Sequence, residues 1–104
     1  MIGDYRFGTV EIDGETYDHD VIYHQGSVSS WRRRDGHKVQ QDDIARLLEQ
    51  KPEVVVIGTG AHGAMQLTDE ARKSLEDAGI EVIVTDTGKA VALFNEMVIA
   101  GRDV

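Results

Sequence analysis

The chain of 104 residues has no cysteine, which excludes disulfide stapling, thiol catalysis and thiolate metal sites together. It also lacks a long apolar run: nothing in it approaches the roughly twenty residues of a membrane span, and Met1-Ile2-Gly3-Asp4-Tyr5 has neither the basic nor the apolar region of a secretory signal. The expected setting is cytoplasmic, with no membrane partner. Positive charge is scarce. Eleven Lys and Arg against 19 Asp and Glu leave a net charge of −8, a field that opposes approach to nucleic acid except through a concentrated basic patch. The length suits one domain, 1–104, whose core must supply the stability that crosslinks do not.

What is present is strongly patterned. Residues 5–12 alternate and lead through Asp13-Gly14, a pair that favours a type I′ hairpin turn, into a second extended run over 16–24. Another turn at Gln25-Gly26-Ser27 returns the chain as 28–33, which makes an antiparallel meander. Near Asp42-Asp43 the period changes from two to 3.6: Ile44, Leu47 and Leu48 form the stripe of a short helix that Lys51-Pro52 ends. The strand expected over 53–58 contains the continuous apolar run Val54-Val55-Val56-Ile57, as expected of a strand covered on both faces. Thr68 caps a helix over 69–78 with Ala71, Leu75 and Ala78 on one side and Gly79 just past its end. A strand over 80–84 follows. Thr87 is expected to cap a last helix whose apolar Ala90, Val91, Leu93, Phe94, Met97 and Val98 cover more than half its circumference before Gly101 closes it. The class is α/β with about three helices.

Four constellations bear on function. Gly58, Thr59, Gly60, Ala61, His62 and Gly63 spell GxGxxG after an apolar strand, the spelling of a dinucleotide site. The helix, however, starts only at Thr68 with Asp69 and Glu70 in its first turn, which a phosphate would meet as repulsion. The glycines therefore read first as a loop that needs close backbone approach or positive φ, and second as an anion cradle with the Thr59 hydroxyl and His62 imidazole as donors. Asp18-His19-Asp20 with His24 offers metal-ligating groups. Strand alternation would bring Asp18, Asp20 and His24 to one face, yet no second cluster has ligand spacing, so no metal and no cofactor are expected. Trp31-Arg32-Arg33-Arg34 is the only dense positive run, but alternate arginines face opposite sides of a strand, which favours pairing with acids such as Asp18, Asp20 or Asp35 and a packing role for Trp31. Asn95 sits in a largely apolar helix. It is either on the exposed minor face or satisfied by neighbouring backbone, with the glycine loop as the natural partner.

Phe7-Gly8, Tyr17-Asp18-His19-Asp20-Val21, Trp31-Arg32-Arg33, Lys51-Pro52-Glu53, Ile57-Gly58-Thr59-Gly60, Gly79-Ile80-Glu81-Val82, Thr87, Ala90-Val91 and Phe94-Asn95 occur in an order that resembles one family over nearly the whole chain. It is a small domain of unknown function first seen in a methanogen, with relatives that include a mitochondrial complex I assembly factor and an adipogenesis-associated protein. The resemblance implies a three-layer α/β domain with a central mixed sheet and an added N-terminal hairpin. It carries no catalytic residues. It also implies a further strand after the last helix, where this chain reaches Val104, so a missing edge strand or a shortened C-terminus is expected.

The leading expectation is a non-enzymatic binding or assembly module for a protein partner, with Trp31, Arg33 and Asn95 as interaction candidates. The alternative is a small-ligand or anion binder, conceivably an enzyme, built on Gly58, Thr59, Gly60, His62 and Gly63 with Asp18 and Arg32 nearby. Nucleic-acid binding through 31–34 is disfavoured by net charge. The broad apolar last helix and an open sheet edge leave self-association as an option.

Overall fold

The computed structural model describes residues 1–6, 8–31, 33, 37–60 and 65–104. The N-terminal half is antiparallel. Strands β1 (Ile2–Arg6), β2 (Thr9–Ile12) and β3 (Glu15–Tyr17) pair in sequence order, and β4 (Val21–His24) pairs with β5 (Ser27–Ser30). Two of the turns follow their local chemistry. Asp13 and Gly14 at φ 51° and 89°, and Gln25 and Gly26 at φ 50° and 79°, have the doubled positive φ of type I′ hairpins. The expected single strand over 5–12 is instead two, antiparallel, with Arg6 opposite Thr9 and Gly8 at φ 87°. The expected run over 16–24 also breaks, at a bend over 18–19 between β3 and β4.

The second half alternates. A two-residue strand β6 (Lys38–Val39) precedes a 3-10 turn at Gln41–Ile44 and helix α1 (Ala45–Gln50), which ends on Lys51 at φ 47°. Then come β7 (Val54–Gly58), β8 (Gln66–Leu67), α2 (Asp69–Asp77), β9 (Glu81–Thr85) and α3 (Thr87–Ile99). Strands β6 and β8 pair in parallel, as do β7 and β9. The α/β class holds, with parallel and antiparallel pairing both present, and the ladders among the described residues are four rather than one. Thr68 caps α2 by accepting from Ala71 N–H. On α3 the cap is Asp86, which accepts from Lys89 N–H, and not the expected Thr87.

Strand β7 divides the core, and its period of two explains how. Val55 and Ile57 join Val39, Ile44, Leu47, Met65, Ala71, Leu75 and Ile80 under α1 and α2. Val54 faces the other way with Phe94 and Val104, and Ile2, Tyr23 and Val56 pack against them. A strand covered on both faces must be apolar throughout, which is why its alternation was invisible in the sequence. Helix α3 buries Ala90 and Phe94 but leaves Ile99 72% exposed at its end.

Candidate functional site

Between the antiparallel half and the β7–β9 pair lies a cavity of about 410 Å³, mainly apolar, whose walls include Tyr23, Val56, Phe94, Trp31 and Gly58. That volume is in the range of about 300–1,000 Å³ found for ligand clefts. Of the residues singled out in the sequence, Asp18, His19, Asp20, His24, Trp31, Gly58 and Gly60 line it together. His62, Gly63 and Arg32 lie outside the described residues.

The glycine loop is engaged internally at its start. Thr59 N–H and its hydroxyl both donate to Thr85 O, at 2.9 and 3.1 Å. Gly60 N–H donates to the Thr87 hydroxyl at 2.9 Å, and Thr87 N–H returns a bond to Gly60 O at 3.1 Å. The amide of Thr59 is thus spent on the end of β9 and that of Gly60 on the start of α3. Both reasons for glycine apply. A Cβ on Gly58 would lie 2.9 Å from Thr87 Oγ1 and 3.1 Å from Thr87 Cα, and Gly60 has φ 94°.

The acidic cluster disperses. Among the described residues Asp18, with its side chain 87% exposed, meets only its neighbour His19, at 3.3 Å; Asp20 pairs with the Arg33 guanidinium; and His24 Nε2 lies 2.7 Å from Asp103 Oδ1. Because the bend over 18–19 ends strand alternation, Asp18, Asp20 and His24 turn to separate partners. Among the described residues no three such groups gather around a common point. Arg33 also stacks over Trp31, 5.2 Å from the ring centre, and Trp31 Nε1–H donates to Asp43 O at 2.9 Å. Trp31 is a packing anchor with one edge on the cavity.

Asn95 is satisfied by backbone, though not that of the glycine loop. Its Oδ1 accepts from Ile2 N–H at 3.0 Å and its Nδ2 donates to Ile2 O at 2.7 Å, which clamps β1 onto α3. Asn95→Ala should cost about 1–3 kcal/mol, since both Ile2 groups lose a part-buried partner. The urea midpoint measures this, and Ile2 amide exchange should accelerate with it; unchanged Ile2 protection would contradict the clamp.

At one rim the Tyr23 hydroxyl donates to Asp13 Oδ2 at 2.8 Å, and its ring lies 5.1 Å from that of Phe94. Burial, then the hydrogen bond to Asp13, then that carboxylate's charge push the Tyr23 phenol up to about 12. The Asp13 carboxyl is held below its usual value by the hydrogen bond from the N-terminal ammonium and then by that from Tyr23. For a group whose folded pKa is raised, the stabilisation is complete below its unfolded value, here roughly 10, and is lost as pH rises through the folded one. Stability should therefore fall between pH 10 and about 12. Denaturation midpoints across that range should flatten in Tyr23→Phe; an equally steep wild-type and variant would refute the assignment.

Residues 2–104 match a family described as "Protein of unknown function (DUF498/DUF598)". Among solved structures the chain is similar to a conserved hypothetical protein, PH1505, from Pyrococcus horikoshii OT3, at 30% identity and TM-score 0.86 over 93% of this chain and 87% of that one. It is similar to MT938 at 34% identity and TM-score 0.83, over 100% and 91%. A protein from Bartonella henselae described as an outer membrane protein matches at 27% identity and TM-score 0.84, over 97% and 86%. No curated protein matches. Among the described residues no helix is long and apolar enough to cross a membrane.

Proposed function

The chain belongs to the DUF498/DUF598 family, and on that premise we propose that residues 1–104 act as one cytoplasmic, non-enzymatic binding module that seats part of a protein partner in the cavity between β4 and β7. The observation that carries this reading is the cavity itself: about 410 Å³, mainly apolar, with Tyr23, Val56 and Phe94 in its walls. Apolar surface of that kind gains free energy when a partner covers it, roughly 25 cal/mol per Å² removed from water. Several polar groups around it are committed. Asp20 holds Arg33, His24 meets Asp103, Thr59 holds Thr85 at the end of β9, and Gly60 holds Thr87 at the start of α3.

The anion-binding reading keeps one supporting observation, that Asp18, Gly58 and Gly60 share this cavity. One titration separates the two. Trp31 is the only tryptophan and lines the cavity, so its emission reports occupancy. Apolar peptides should give a saturable change while phosphate, nucleotides and small carboxylates give none; the reverse pattern would overturn the proposal in favour of the glycine-loop site.

A further inference from the structure

At the polar rim of the cavity three side chains of the antiparallel half stand in line. The bend over 18–19 carries His19 across to β5, where its Nε2 lies 3.1 Å from Ser30 Oγ, and its Nδ1 lies 3.3 Å from Asp18 Oδ1. A carboxylate only accepts, so Nδ1 carries the imidazole proton and Nε2 is left to accept from the Ser30 hydroxyl. The Tyr17 ring stands edge-on to the imidazole, 6.0 Å between centres at 86°, and sets its plane. Hydroxyl, imidazole and carboxylate in that order activate a serine: a base within reach of the nucleophile and a third group that orients the base. Ser29 and Ser74 meet groups that cannot take up a proton, since Ser29 accepts from the Arg46 guanidinium at 2.6 Å and Ser74 donates to Gln41 Oε1 at 2.8 Å.

An open cleft lined by His19, Asp20, Ser30 and Trp31 adjoins this hydroxyl. Asp18 is exposed beside it on a chain of net charge −8, so an anionic reactant is repelled. In nucleophile elbows the amide of the residue after the serine helps to hold the oxyanion. Here that amide, Trp31 N–H, is spent on Asp20 O at 2.8 Å. Attack is therefore confined to acyl donors with a good leaving group. Hydrolysis of the resulting ester, whose leaving group is the poor Ser30 alkoxide, is slow.

We infer that Ser30 is an acyl-acceptor site, which takes one acyl group per chain from a small, uncharged activated ester or thioester. Ser30 Oγ bonds to the acyl carbon while its proton passes to His19 Nε2. The bond from that carbon to the leaving oxygen or sulfur breaks, and the leaving group takes the proton from Nε2. Asp18 accepts from Nδ1–H throughout and holds the imidazole in the tautomer that can act as base. One acylation per chain is not turnover, so the site is compatible with a non-enzymatic module, and it holds whether or not the cavity has an occupant.

The test is time-resolved acetylation of the 104-residue chain by p-nitrophenyl acetate, with the modified residues located by peptide mass spectrometry. Ser30 should gain an acetyl group about a hundredfold faster than Ser29 or Ser74, and His19→Gln should remove that advantage. Asp18→Asn should slow Ser30 by about tenfold or more and redistribute the His19 imidazole between its tautomers, which its ring nitrogen shifts report. All three residues are exposed, so the amide spectrum of each variant should keep the wild-type pattern. Equal labelling of Ser30 and Ser29, an acetyl group that stays on His19, or an unchanged Ser30 rate in His19→Gln overturns the proposal. An unchanged tautomer in Asp18→Asn overturns the positioning role given to Asp18.

Discussion

Leu75→Ala is expected to lower the unfolding free energy by about 2–5 kcal/mol, the range for deleting a fully buried leucine side chain. Leu75 has no exposed surface and packs within the cluster of Val39, Ile44, Val55, Ala71 and Ile80. Those residues come from β6, the 3-10 turn, β7, α2 and the position just before β9, so the void cannot close by moving one element. For a domain whose whole stability is about 5–15 kcal/mol, that loss is a large share. Urea unfolding should show a lower midpoint with an unchanged slope. A loss under about 1 kcal/mol would mean that the site collapses and that this cluster is not the packed centre described above.

Gly58→Val is expected to be the second most damaging change, at about 1–3 kcal/mol or more. Its Cβ would meet Thr87 Oγ1 at 2.9 Å and Thr87 Cα at 3.1 Å. The second of these is backbone in the first turn of α3, so relief requires the helix start to move. That movement strains the two bonds linking Gly60 and Thr87. Gly58→Ala should lie between wild type and Gly58→Val, and thermal unfolding of the series gives the order. Wild-type stability in Gly58→Val would show that β7 and α3 do not meet as closely as the structure has them.

The two changes mark what was legible in the sequence. Where a residue's role depends on its neighbours in the chain, the reading was direct. Asp13-Gly14 and Gln25-Gly26 take positive φ in their turns, Thr68 caps α2, and Gly79 and Gly101 adopt φ 82° after their helices. The stripe of Ala71 and Leu75 is buried as its spacing requires. The pairing of Arg6 with Thr9 was missed because the sequence between them lacks the pairing of turn residues that Asp13-Gly14 has. Strands β6 and β8 were missed because two residues have no period to detect. Asp86 and Thr87 both suit a cap by chemistry; the Thr87 hydroxyl is instead occupied by Gly60 N–H, which comes from 27 positions away.

The candidate site was legible only in parts, for the same reason. Asp18, Trp31, Gly58 and Gly60 stood out individually, and they do line one cavity. What forms that cavity is the meeting of Tyr23, Val56 and Phe94 from separate elements, which no local pattern in the sequence signals. Asn95 shows the limit most clearly. Its need for a partner follows from a polar group in an apolar helix, but the partner is Ile2, 93 positions earlier.

The account turns on whether the cavity between β4 and β7 receives a partner segment. An amide-resolved titration with an apolar peptide and inorganic phosphate in parallel tests it most directly. The account predicts saturable shifts at Val56, Gly58 and Tyr23 with the peptide and no response to phosphate. Shifts confined to Thr59 and Gly60 with phosphate, and none with the peptide, would contradict it and give the site to the glycine loop.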